Sequence, residues 1–213
     1  MKAKKFWRAA ISFFTLVPAI IIFLSPTFVE ANYTVGIVGI SNRVRNLNLG
    51  DYTDLTELEN PLVYAQNVFE YTMTSGLPRT GLTGIDKTEQ ATSSRLNEVM
   101  FQLEMGDPGK AVKLFDKTPD YLIYGYITNF TVTHRESLAT SNLAVRIDLS
   151  VRIMEVSTGE LVCVATGKGE SASHGGAYRK AFKIGGEEIS EECWTDALEK
   201  AFNQVLKSIQ KQV

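Results

Sequence analysis

"VRIMEVSTGELV", residues Val151–Val162, is the stretch on which the fold turns. Its upstream part belongs to a longer run from Leu143 that alternates without a break. Ile147, Leu149, Val151 and Ile153 fall on one side, and Arg146, Asp148, Ser150 and Arg152 on the other. That period of two marks a half-buried antiparallel strand. Ser157, Thr158 and Gly159 then suit a three-residue hairpin loop, with Gly159 at the position that needs a positive φ. Pairing Val156 with Glu160 places Ile153 opposite Cys163 and Val151 opposite Ala165, which puts Cys163 on the buried face.

Outward from the hairpin, Asp120–His134 begins as a nearly unbroken apolar and aromatic run, the mark of a strand covered on both faces in mid-sheet. Tyr33–Ser41 is an earlier β-rich run, and "GLTGIDK" is a weak strand with turn glycines. Between them lies a helix with Asn60 as N-cap, Pro61 at N1 and Gly76 after its end, burying Leu62, Ala65, Phe69 and Met73. A second helix carries Leu96, Val99, Met100 and Leu103 and stops at Gly106. "DPGKAVKLF" is a short third helix, with Asp107 as its cap. "GKGESASHGGAYRKAFKIGG" reads as a glycine-rich loop. The last helix begins among Glu187, Glu188, Glu191 and Glu192 and ends at Lys207 and Lys211, complementing its dipole. Trp194, Ala197, Leu198, Ala201, Val205 and Ile209 form its buried stripe. The fold class is α/β: a mixed, mostly antiparallel C-terminal sheet with helices packed on it, in a single domain.

The N-terminus stands outside that domain. Lys2, Lys4, Lys5 and Arg8 precede an uncharged run, Ala9–Val29, and Val29 and Ala31 sit at −3 and −1 of a cleavage site. Residues 1–31 therefore read as a signal peptide, with an uncleaved N-terminal anchor as the alternative, and 32–213 as the exported domain. No cysteine adjoins the cleavage site, so the mature N-terminus offers no lipidation residue. Without 1–31 the chain has 18 basic against 23 acidic residues, net −5. That balance gives no footing for nucleic acid, and the mature chain has no run long enough for a membrane-spanning helix. In an oxidising compartment Cys163 and Cys193 are open to two readings, a disulfide or two buried small residues.

Chemical motifs fail on their own requirements. "GDPGKA" has Glu104 where a phosphate loop needs Gly, and Ala111 where it needs Ser or Thr. Gly167, Gly169 and Ala172 match a dinucleotide fingerprint on the wrong scaffold, the second arm of a hairpin, and read as glycines that let a strand end bend. His134, His174, Cys163 and Cys193 show no paired ligand spacing. Catalytic residues, metal and cofactor are accordingly all expected to be none, and the protein is not expected to be an enzyme.

"TPDYLIYGYITNF" together with "NLAVRIDLSVRIMEVSTGELV" resembles the CsgG-like family of curli secretion components. Asp120, Tyr121, Gly125 and the hairpin tip Val156, Ser157, Thr158, Gly159 and Glu160 carry the resemblance, and "CWTDALEKAFNQVLKSI" looks like that family's closing helix. The match is concentrated in residues 118–171. It implies a periplasmic α/β domain that works by binding and assembly, with cell-envelope proteins as partners and a homo-oligomer among the options. The export channels of that family insert membrane hairpins between these strands. Here the first connection, "HRESLATSN", is short and polar, and the second lacks alternation. The leading expectation is a non-enzymatic envelope protein. A secretion-channel subunit and an enzyme with an unrecognised site are the alternatives.

Overall fold

A computed structural model describes residues 33–45, 60–80, 82–85, 87, 93–136, 141–174, 181–184 and 186–212. The signal-peptide reading of 1–31 lies outside them. The elements are β1 (Tyr33–Asn42), α1 (Pro61–Gly76), β2 (Leu82–Ile85), α2 (Ser93–Glu104), α3 (Gly109–Val112), β3 (Tyr121–Glu136), β4 (Ser141–Glu155), β5 (Leu161–His174), β6 (Ala181–Ile184), β7 (Glu187–Ser190) and α4 (Glu191–Ile209). Five strands form one sheet in the order β2-β1-β3-β4-β5, and β6 and β7 pair by themselves. β1 runs parallel to β2 and β3, whereas β3, β4 and β5 are antiparallel. The fold is thus a mixed α/β sheet with helices packed on it.

Each face of the sheet has its own core. α1 and α4 cover one face with Phe69, Met73, Trp194, Phe202 and Ile209 against Ile123, Ile147, Leu149, Val151 and Ile153. α2 and α3 cover part of the other, where Leu96, Val99, Met100, Leu103 and Leu114 meet Leu122, Tyr124, Tyr126 and Met154. β3 is central and buried on both sides, which is why its sequence shows no alternation. Trp194 anchors the first layer, its Nε1 donating to the Pro61 carbonyl at 3.2 Å. α2 ends where Gly106 takes φ +79, as its sequence indicates.

Three local readings change. Gly76 belongs to α1, and the chain continues through a 3-10 turn, Leu77–Thr80. A Cβ on Gly76 would come within 2.5 Å of Leu206, so this glycine serves close packing against α4 instead of a left-handed cap. The start of α4 shifts from Glu187 to Glu191, with Ser190 as N-cap accepting from Cys193 N at 3.2 Å. Ahead of it, Phe182, Ile184 and Ile189 are buried on one side of the β6–β7 hairpin, an apolar alternation hidden among glycines and charges. Finally, Gly167 and Gly169 do not bend a strand end. A Cβ at either would fall 2.0 Å from the Ala201 carbonyl or 1.7 Å from that of Ala197, so α4 lies backbone-close on β5.

Candidate functional site

The hairpin tip is built for structure. Ile153 faces Cys163 and Val151 faces Ala165, as the alternation requires. Glu155 N donates to the Glu160 carbonyl at 2.9 Å, so four residues, Val156–Gly159, lie inside the closing bond, one more than the three-residue reading. A register shift between Ile153 and Met154 absorbs the extra residue. Thr158 Oγ1 donates to Glu155 Oε2 at 3.0 Å and accepts from Glu160 N at 3.2 Å. Gly159 has φ +71, and a Cβ there would stand 2.4 Å from the Gly106 carbonyl. The tip thus packs against the turn after α2. Asp120 acts similarly: Oδ2 accepts from Thr34 N at 2.8 Å and from Thr34 Oγ1 at 2.7 Å. Those bonds hold the Asp120 carboxyl below the usual carboxylate range. Its carbonyl takes Val156 N at 2.9 Å, so one residue ties β1, β3 and the hairpin together.

The free edge of the sheet is a different matter. β5 is a 14-residue strand with β4 on one side only. In an antiparallel strand alternate residues point both backbone groups to the same side. Lys168 N donates outward to Gln204 Oε1 at 3.0 Å, and Lys200 Nζ donates to the Glu170 carbonyl at 3.1 Å. Two long side chains of α4 therefore cap the C-terminal half of the edge. By the same alternation Val164 and Thr166 present their groups outward, without such caps among the described residues. The N-terminal half is also apolar: Leu161, Val162 and Val164 are each about half exposed.

Beside the capped half, Arg146, Lys168, Glu170, Lys200, Gln204 and Lys207 line an open groove of about 630 Å³. Arg146 Nε donates to Asp148 Oδ1 at 3.1 Å, and Lys200 Nζ pairs with Asp196 Oδ2 at 2.6 Å. Burial raises the Asp196 carboxyl, but hydrogen bonds from Lys200 and Ser171, with the Lys200 charge, outweigh it and hold it low. Lys168 and Lys207 have no ion-pair partner among the described residues, so the groove is cationic.

No family model matches the chain, and no curated protein does. Solved structures of similar chain path exist. The hypothetical protein CT253 from Chlamydia trachomatis is 12% identical, with a TM-score of 0.47, covering 85% of this chain and 95% of that one. Lipoprotein GNA1162 from Neisseria meningitidis is 11% identical, with a TM-score of 0.39 over 66% of this chain and 84% of that one. The PelC dodecamer from Paraburkholderia phytofirmans is 13% identical, with a TM-score of 0.30 over 82% of this chain and 88% of that one. Similarity at that level transfers neither chemistry nor partners.

The remaining sequence candidates are scattered. Cys163 and Cys193 are both buried and free. Cys163 Sγ donates to Gln212 Oε1 at 3.2 Å near the end of α4, whereas Cys193 opens α4 and bonds Ser171. The eight steps along β5 from residue 163 to 171 span roughly 26 Å, so the two thiols stand well apart. Burial pushes both thiols up. His134 Nε2 lies 3.2 Å from Glu187 Oε2 on the surface, and the His174 side chain is outside the described residues. No three metal-ligating side chains converge among the described residues. The edge groove left no sequence signal, because its charges come from β4, β5 and a helix some 30 residues further on.

Proposed function

We propose that this is an exported, non-enzymatic cell-envelope protein of the CsgG-like type that acts by binding another envelope protein. The observation that carries the reading is the half-guarded β5 edge: apolar and uncapped from Leu161 to Thr166, capped and cationic beyond. An exposed strand edge is a template for an extended segment of a partner, with backbone hydrogen bonds supplying affinity and flanking side chains supplying choice. Lys168 and Lys207 favour a partner strand that ends in acidic residues. The signal-peptide pattern of 1–31 and the CsgG-like stretch over 118–171 support the envelope setting. No cofactor is assigned, and membrane contact is left to the N-terminal segment.

The test is site-specific photo-crosslinking in living cells, with the crosslinker at Val164 or Thr166 and a control at exposed Tyr71 on α1. One partner should be captured from both β5 positions, the Thr166 capture should be lost on Val164→Lys, and Tyr71 should capture nothing. Equal capture from all three positions would defeat the reading.

A further inference from the structure

On the face opposite α1 and α4, two arginines meet at a tyrosine. Tyr126 follows Tyr124 on the same side of β3, their rings edge to face at 5.9 Å. Arg43, just past the end of β1, donates its own N–H to the Ile127 carbonyl at 2.9 Å, which fixes its backbone beside Tyr126. Its guanidinium lies over the Tyr126 ring, 3.8 Å from the centroid, and pairs with Glu104 at the end of α2. Arg152, opposite Tyr124 on β4, brings a second guanidinium to 5.5 Å from the same ring.

Among the described residues, two donors in this cluster have nothing to bond. The Tyr126 hydroxyl and Arg152 Nε are fully shielded from water and unpartnered, although Tyr126 as a residue is only 2% exposed. Buried polar groups in folded proteins almost always find partners, and an unpaired one bears explanation. Burial also pushes the Tyr126 phenol up to about 12, so it remains a donor at any physiological pH. A structural role for the pair would have left both groups satisfied; a cation–π stack alone uses neither the hydroxyl nor the Nε–H.

We propose that Arg43, Tyr126 and Arg152 form a binding site for one oxyanion group, a carboxylate or a phosphate. The chemistry is complementary in sign and in count. Among the described residues Glu104 is the one carboxylate paired with these two guanidiniums, and Arg152 otherwise hydrogen-bonds the Tyr124 side chain, which leaves the cluster positive. An oxyanion carries lone pairs for both idle donors, and the Nε edge of a guanidinium is one of its two-point docking edges. Arg43 is the cover. Its side chain is 39% exposed and its pairing with Glu104 is at the surface, so it swings off the ring and exchanges Glu104 for the incoming group. Nothing in this site depends on the β5 edge.

The test is titration of the purified exported protein, labelled with ¹⁵N-arginine, by N-acetylglutamate, by inorganic phosphate and by neutral N-acetylglutamine. The Arg152 Hε–Nε resonance should shift saturably with one or both anions and not with N-acetylglutamine; which anion saturates it identifies the source of the oxyanion. The Arg43 Hε–Nε resonance should shift with the same anion and cease to do so in Arg152→Lys, and Tyr126→Phe should weaken affinity by about 10-fold. Tyr126→Phe is the second safeguard, because an idle hydroxyl contributes nothing to the free protein: its melting temperature should hold or rise. Absence of a saturable shift with either anion, or a fall in melting temperature in Tyr126→Phe, overturns the proposal.

Discussion

At the scale of single residues, Gly159, Gly169 and Asp120 each act through a close contact with another segment's backbone. Gly159 combines a positive φ with a carbonyl where a Cβ would lie, and Gly169 has only the second problem in a more severe form. Gly169→Ala drives a methyl into the Ala197 carbonyl and should lower stability by about 3 kcal/mol, read by denaturant titration. Gly159→Ala should lower it by about 1–2 kcal/mol for its φ alone, with the Gly106 clash added. Asp120 gives a pH signature. Its carboxyl is depressed in the folded protein, so between the folded and unfolded values the unfolded chain binds more protons. The stability it contributes is complete above the ordinary aspartate value near pH 4 and disappears as pH falls through the folded value. Asp120→Asn should lower the melting temperature at pH 7 and flatten its fall as the pH drops below about 4. An unchanged acid profile would show that the Thr34 bonds do not depend on charge.

Among the elements, β5 shows how a protein manages a long edge unevenly. Gln204 and Lys200 occupy the outward groups of Lys168 and Glu170, and α4 can reach them because Gly167 and Gly169 let it lie so close. Replacing both caps, Gln204→Ala with Lys200→Met, should expose the rest of the edge. Hydrogen exchange at Lys168 N should then accelerate strongly while β4 stays protected, and the protein should self-associate at high concentration. β4 was legible in sequence because one of its faces is polar, so alternation announced register down to Ile153 opposite Cys163, whereas Gly167–His174, read as a glycine-rich loop, is the second half of β5. The β6–β7 hairpin was not, since four-residue strands bury only Phe182, Ile184 and Ile189 between glycines and glutamates. Neither candidate site could be read in advance. Arg43 and Arg152 stand 109 positions apart and meet only through β1–β3–β4 pairing, and Gln204 looks like any polar residue on an exposed helix face.

For the molecule as a whole, the issue is whether these strands could form part of a membrane pore. Antiparallel spanning strands need about 9–11 residues each with one lipid-facing apolar side. The connection between β3 and β4 covers only residues 137–140, and that between β5 and β6 only 175–180. The far ends of β3 and β4 are not spare for the purpose, because Phe130, Val132, Leu143 and Val145 turn inward onto the α1–α4 core. Their outward side carries Thr131, Thr133 and Arg146 instead. A pore would therefore need strands supplied by residues already committed to packing, at the expense of the core around Trp194. Residues 32–213 should accordingly elute without detergent as a species whose mass, by light scattering, does not change when detergent is added. Recovery only in detergent, as a ring, would reinstate the channel reading and require the β3–β4 hairpin to leave the core; crosslinking Val132 to lipid would then detect it directly.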